Sequence, residues 1–278
     1  MPINNIKTFV VNLKKDTQKK EHMLELCRQY DLQIEFIEAV YGKELSENEV
    51  VKLYCEQSSV SNIGRGLARG EIGCALSHKL IYEKMLKENI PSACILEDDV
   101  NFDDGLLEVC RLENKFPKNW DLVLLGHHGE SRDSKTRDSF WGKYSLNNSY
   151  TLVRPCEIGY GTYGYMISLS GAKKVLEHLN LIRLPIDSIT GNDTLLNLYL
   201  IDPVIVNINT HLSDNFNAME GRTELNPSLI EHPAEGSEVE AKYSWKRRAA
   251  DSLGVYSLLE GIRLKYRKSS FRPIRRYK

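Results

Sequence analysis

Ala93-Cys94-Ile95-Leu96-Glu97-Asp98-Asp99-Val100 sets four apolar residues directly against three acids. A short apolar run of this kind reads as a buried strand. In an open α/β sheet, a central strand carries its ligand-binding groups at the carboxyl end, where the loops part. Three adjacent carboxylates repel one another unless positive charge offsets them. In extended backbone Glu97 and Asp99 point to one side and Asp98 to the other. Two carboxylates on one side suit a hard divalent cation, Mn²⁺ or Mg²⁺, which prefers oxygen ligands and also binds diphosphate. The competing reading is a solvated acidic turn, and the direct junction with a buried strand favours the metal.

Working outward, Ile72, Ala75, Leu76, Leu80, Tyr82, Met85 and Leu86 recur at helical spacing, predicting a helix from Glu71 to about Glu88. Thr8 to Leu13 reads as a first strand, followed by a helix that Asp16 can cap and that runs to about Tyr30. A second strand is expected from Gln33 to Val40, a helix over 46–57 and a loop from Ser58 to Gly66. Beyond the acids, a further helix leads to a strand at Trp120–Gly126, and residues 127–149 read as a polar surface excursion. A strand from Tyr163 to Leu169, a helix from Ser170 to Leu179 and a last strand at Pro203–Ile208 complete the body. Strands alternating with helices predict an α/β sandwich around a mostly parallel sheet.

Composition narrows the class. Hydrophobic residues make up 41% and charged residues 27% of the 278, as in soluble globular proteins, so an all-apolar or disordered chain is excluded. No apolar run is long enough to cross a bilayer, and the first residues lack the pattern of a signal peptide, so a cytosolic location is expected. Six cysteines without a Cys-x-x-Cys pair disfavour a disulfide framework or a zinc site. There is no Walker A loop and no basic stripe with interleaved aromatics in the body, so no nucleic-acid partner is expected. Gly159-Tyr160-Gly161-Thr162-Tyr163-Gly164 spells G-x-G-x-x-G, but a strand-like run follows where a dinucleotide site needs a helix. His127-His128 falls in the excursion and reads as exposed.

The net charge of −1 hides an asymmetry. Residues 242–278 hold 12 Lys or Arg against 2 Asp or Glu. Their apolar positions Val255, Leu258, Leu259, Ile262 and Tyr266 recur at helical spacing. The chain therefore divides into a catalytic body, 1–240, and a helical, basic, amphipathic extension, 241–278, suited to an anionic membrane surface.

Several blocks together resemble glycosyltransferase family 25, the lipooligosaccharide biosynthesis enzymes. They are Val10-Val11-Asn12-Leu13, Ala39-Val40-Tyr41-Gly42, Gly70-Glu71-Ile72-Gly73-Cys74-Ala75-Leu76-Ser77-His78, Leu96-Glu97-Asp98-Asp99, Gly161-Thr162-Tyr163-Gly164-Tyr165 and Pro185-Ile186-Asp187. The resemblance implies a GT-A-like, Rossmann-type sandwich that binds a UDP-sugar and transfers the sugar with inversion, galactose being the commonest. It places Asn12, Glu71, Ser77, His78, Glu97, Asp98, Gly161 and Tyr163 at the donor, and makes the acid triplet the family's metal motif. Two departures stand in the same half: Lys19-Lys20 lies near where an arginine is common, and Tyr41 replaces a common acid.

Inverting transfer needs charge neutralisation on the departing diphosphate and a base for the acceptor hydroxyl. Glu97 and Asp99 are the expected metal ligands, with His211 either completing the shell or serving as a structural histidine. Asp187 is the expected base with Asp193 second, the alternative for Asp187 being to cap a helix near 190–200. His78 has a similar alternative as a packed helical residue. The acceptor is expected to be a lipid-linked lipooligosaccharide met at the inner face of the cytoplasmic membrane, the protein being peripheral there. Two other classes would use parts of the same pattern: a metal-dependent nucleotidyltransferase or phosphohydrolase, and a non-catalytic glycan-binding module.

Overall fold

A computed structural model describes residues 6–127, 143–155 and 161–213. The C-terminal extension, His128, Cys156 and the first two residues of the Gly159–Gly164 block therefore lie outside the described residues. In chain order the elements are β1 (Lys7–Asn12), α1 (Thr17–Gln29), β2 (Glu35–Glu38), α2 (Glu47–Leu53), α3 (Glu56–Ile63), α4 (Arg69–Glu88), β3 (Ser92–Glu97), β4 (Val100–Phe102) and α5 (Asp104–Arg111). Then come β5 (Leu122–Leu124), β6 (Tyr144–Ser145), β7 (Thr151–Val153), β8 (Gly164–Ser168), α6 (Leu169–Leu179), α7 (Ile186–Thr190), β9 (Leu198–Asp202) and β10 (Val206–Ile208).

Eight strands form one mixed sheet in the order β2-β1-β3-β8-β5-β9-β7-β6. β1 pairs in parallel with β2 and β3, and β5 in parallel with β9. β8 enters antiparallel between β3 and β5, and β7 runs antiparallel to both β9 and β6. Side chains alternate across the sheet, as the pleat requires. Phe9, Ile95, Leu122, Leu124, Tyr165 and Ile167 join one core with residues of α4, α6 and α7. Val10, Cys94, Leu96, Val123 and Met166 join the other with residues of α1 and α5. The result is a three-layer α/β sandwich as expected, but around a mixed sheet rather than a mostly parallel one, because β8 and β7 enter antiparallel. No helix among the described residues is long and apolar enough to cross a membrane.

Three segments differ from the reading of the sequence. The single helix expected over 46–57 is parted at Tyr54 and Cys55 into α2 and α3, Tyr54 bridging to Ile182. Ser58 to Ile63, expected as loop, belongs to helix α3, which ends at Gly64 in the left-handed conformation. Its polar side chains fold back on the helix, Ser61 Oγ donating to Gln57 O at 2.8 Å and Asn62 Nδ2 to Ser58 O at 2.7 Å. Buried Ser59 donates to Arg183 O at 2.7 Å, a tertiary contact that no local pattern records. The helix expected near 190–200 is instead the short α7, a turn and strand β9. Asn192 Oδ1 accepts from the Thr194 N–H at 2.8 Å and so turns the chain, and the apolar run Leu198–Ile201 is buried between β5 and β7.

A small second sheet completes the site side. β4 and β10 pair antiparallel, Val100 opposite Ile208 and Phe102 opposite Val206. This pairing brings the 206–213 segment onto the acid triplet, where Asn209 N–H donates to Asp99 O at 2.7 Å.

Candidate active site

The acid triplet lies where β3 ends, beside the carboxyl end of the parallel strand β1. Asn12, the last residue of β1, donates from Nδ2 to Asp98 Oδ2 at 2.7 Å and to Asp16 O at 3.1 Å. Lys19, one turn into α1, places Nζ 3.8 Å from Asp98 and 3.7 Å from Asp99. On the opposite side Thr162 Oγ1 donates to Glu97 Oε1 at 3.2 Å, and Glu97 N–H donates to Tyr163 O at 2.9 Å. The strand ends at Glu97, so Asp98 and Asp99 lie in a turn rather than in the extended backbone expected. Lys19 faces both, and Asp98 also meets Asn12.

Among the described residues, the Lys19 ammonium stands within 4 Å of both Asp98 and Asp99. Burial, with Asp99 and Asp98 adding to it, holds the Glu97 carboxyl well above the usual carboxylate range. Burial likewise lifts Asp98 to about 6, against the lowering effect of Lys19 and Asn12. Asp121, also buried, shows the contrast: it is matched by Lys174, by Ser170 Oγ at 2.8 Å and by Asn197 N–H at 2.8 Å. The triplet offers carboxylate oxygens, the donors a hard divalent cation prefers, but among the described residues these oxygens do not all come within 4.8 Å of one another.

Helix α4 supplies the wall facing Glu97. Glu71, Cys74 and His78 recur along it, and the Cys74 thiol senses the charges of Glu97, Asp187, Glu71 and Asp99. Asp187 lies on α7, which packs against the same helix. Asp187 Oδ1 accepts from Ser188 Oγ at 3.4 Å, and burial raises its carboxyl above the ordinary range. Glu71 is held by Arg65 through two contacts of 3.0 and 3.1 Å and accepts from Ala68 N–H at 2.8 Å, which caps α4.

A cleft of about 540 Å³ opens at the carboxyl ends of β1 and β2, lined by Leu13–Lys15 and 38–41 with Glu44. Lys15 Nζ lies 3.8 Å above the Tyr41 ring. The loop carrying Tyr41 packs against α4 backbone to backbone. A Cβ on Gly42 would stand 1.7 Å from Arg69 O, and one on Gly73 would stand 2.5 Å from Val40 O. These two glycines are required by that close approach.

Residues 5–190 match glycosyltransferase family 25 (LPS biosynthesis protein). The chain belongs to glycosyltransferase family 25. Among curated relatives, procollagen galactosyltransferase 1-A of Xenopus laevis is 31% identical over 196 residues, 64% of this chain and 29% of its own length. A glycosyltransferase 25 family member of Aedes aegypti is 33% identical, again over 64% of this chain and 29% of its own length. This chain thus spans less than a third of the relatives it matches. Among solved structures, the crystal structure of A197 from STIV aligns with 70% of this chain and 81% of its own at a TM-score of 0.39 and 12% identity.

Within this family 25 chain, Asn12, Glu97, Asp98 and Asp99 are brought together. His78 lies beside Glu97, buried at 0% exposure, with burial lowering its pKa to about 4 so that the ring is neutral. Ser77 is engaged structurally, its hydroxyl accepting from Val40 N–H at 2.8 Å and donating to Gly73 O at 2.7 Å. Tyr163 is buried with its ring against Gly126 and Gly161, the latter at φ +117°. Gly164 opens a strand, in keeping with the discounted dinucleotide pattern. Asp193 is 1% exposed. The set Glu97, Asp99 and His211 is not gathered as one cluster. Among the described residues, the three potential ligands whose donor atoms come within 4.8 Å of one another are Cys74, His78 and Glu97. His211 is exposed and its N–H donates to Asn209 Oδ1 at 3.1 Å, two residues beyond the contact with Asp99. The sequence marks Lys19 only as lying near where an arginine is common, and Thr162 only within the Gly161–Tyr165 block; it assigns neither to the acids. Lys19 follows Asp16 by one helical turn, a spacing that could have indicated it.

Proposed function

We propose that this chain transfers a hexose, galactose by preference, from a UDP-sugar to a hydroxyl of a lipooligosaccharide or lipopolysaccharide acceptor, with inversion. The observation that carries the reading is the acid triplet at the end of β3, gripped by Asn12 and Lys19 and adjoining the cleft above β1 and β2. Membership of the family supports glycosyl transfer, the galactosyltransferase names of its relatives support galactose, and the family's description supports the acceptor class.

Asp99, with Asp98 and Glu97, would hold Mn²⁺ or Mg²⁺. The ion supplies Lewis-acid neutralisation of the diphosphate. The chain's own residues do the rest. Asn12 and Lys19 orient the carboxylates, and the cleft with Tyr41 and Lys15 receives the uridine. Asp187, a buried carboxyl with a raised pKa, takes the proton from the acceptor hydroxyl. Asp193 is less suited because it is almost fully enclosed. The basic extension would hold the enzyme at an anionic membrane surface, where a lipid-linked acceptor resides.

Transfer from UDP-galactose to a de-lipidated oligosaccharide, measured with and without EDTA, tests the assignment. Asp99→Ala is expected to lower kcat/KM by about a thousandfold, roughly 4 kcal/mol of transition-state stabilisation. Full activity in EDTA would sink the metal. Greater thermal stabilisation by a GDP-sugar than by UDP-galactose would sink the donor. Truncation after Leu264 should leave this soluble assay intact and weaken binding to anionic vesicles at low salt. Unchanged vesicle binding would remove the membrane role.

A further inference from the structure

A thiol, an imidazole and a carboxylate converge beneath the acid triplet. Cys74 and His78 stand four residues apart on α4, so both face β3. One donor atom from each lies within 4.8 Å of the other and of a Glu97 carboxylate oxygen. We propose that Cys74, His78 and Glu97 form a site for a thiophilic divalent ion of the Zn²⁺ class, chemically distinct from the hard-cation edge at Asp98 and Asp99.

The imidazole is prepared for this. His78 is 0% exposed, and its Nδ1 shares a hydrogen bond of 2.7 Å with the Tyr165 hydroxyl, which in turn meets the Tyr82 hydroxyl at 2.5 Å. Nε2 is buried and has no hydrogen-bond partner among the described residues. A histidine with one nitrogen fixed by a hydrogen bond and the other bare is the usual state of a metal ligand. A buried ring nitrogen without a partner is otherwise costly.

The donor set decides the ion. Zinc takes sulfur, imidazole nitrogen and carboxylate oxygen at about 2.0–2.3 Å in a tetrahedron, and three protein ligands leave a fourth position open. Thiolate disfavours Mg²⁺ and Mn²⁺, so the two sites sort different ions although Glu97 borders both. On binding, the sulfur–metal bond forms as the thiol proton passes to solvent. The cysteines showed no metal spacing among themselves because the partners here are a histidine on the same helix and an acid on the next strand. The site does not depend on the chain transferring sugar.

Titration of the metal-stripped, full-length protein with Co²⁺ tests this. Wild type should develop a near-ultraviolet thiolate-to-cobalt band and the visible bands of tetrahedral cobalt. Zn²⁺ should abolish them, and excess Mg²⁺ should not. Cys74→Ala should lose the thiolate band, and the near-isosteric Glu97→Gln should weaken Co²⁺ binding at least about tenfold with an unchanged circular dichroism spectrum. Asp99→Asn should keep the bands even though it removes Mn²⁺-dependent donor binding, which separates this site from the catalytic edge. Absence of the band in wild type, its persistence in Cys74→Ala, or full Co²⁺ affinity in Glu97→Gln would overturn the proposal.

Discussion

Asn12 Nδ2 reaches from the end of β1 to Asp98 Oδ2, 2.7 Å away on the loop that leaves β3. Both residues belong to short blocks separated by more than eighty positions, and the parallel pairing of β1 with β3 brings them together. The bond orients Asp98 and offsets part of its burial. Asn12→Ala should cost about 1.5–3 kcal/mol of folding stability by denaturant titration, because it removes a hydrogen bond to a charged group. It should also weaken Mn²⁺ binding by about tenfold, as loss of an outer-shell orienting group does. Unaltered Mn²⁺ affinity would separate Asp98 from the cation.

The acids also predict how stability depends on pH. Asp98 titrates near 6 in the folded protein, above its ordinary 3.8, so ionising it costs the folded state more than the unfolded one. Below about pH 4 the group is protonated in both states and the penalty is absent. As pH rises through 4 to 6, stability measured in EDTA should fall by ~2–3 kcal/mol, and Glu97 should extend the decline upward. Mn²⁺ should flatten the profile, since a ligand of the folded state adds stability where the carboxylates are ionised. A metal-free profile that rises over this range would contradict the electrostatics described.

Asp187→Asn keeps the shape of the side chain and removes its basicity. Turnover should drop by about 10²–10⁴-fold while donor affinity, measured by calorimetry, stays within about twofold of wild type. Near-normal turnover would move the base elsewhere, with Asp193 next to be tried.

Gly73→Ala tests the seam between α4 and the Tyr41 loop. The added methyl would sit 2.5 Å from Val40 O and 2.7 Å from Gly42 N, both backbone atoms. Forcing them apart should cost about 1–3 kcal/mol and weaken UDP binding in the adjoining cleft. Urea unfolding and UDP calorimetry check the two effects. A fully stable variant with normal UDP binding would show that the loop shifts freely.

The sequence made the α/β layers and the triplet legible because both rest on local signals. An apolar strand running into acids and a long helix with regular apolar spacing need no tertiary information. The loop expected at Ser58–Gly66 and the helix expected near 190–200 failed for the opposite reason. Ser59 is fixed by Arg183 O, and Leu198–Ile201 becomes a strand because β5 and β7 flank it. Nor does any local pattern place Thr162 on Glu97, since that contact depends on β8 lying antiparallel beside β3. Asp187 is legible only through a family-like segment, and its packing partner α4 is not visible in the local pattern.

The antiparallel insertion of β8 has an evolutionary consequence. One side of it, β2-β1-β3, is built from residues 7–97, and the other, β5-β9-β7-β6, from residues 122–202. The two halves are therefore consecutive in the gene and not interleaved. A single recombination crossover between β3 and β5 would carry Asn12, Lys19, Cys74, His78 and the first acid of the triplet as one inheritable block. It would join them to a different Asp187 half without cutting a strand. Such a join would have to preserve the β3–β8 edge and the packing of α4 against α6 and α7, where the two halves share one core.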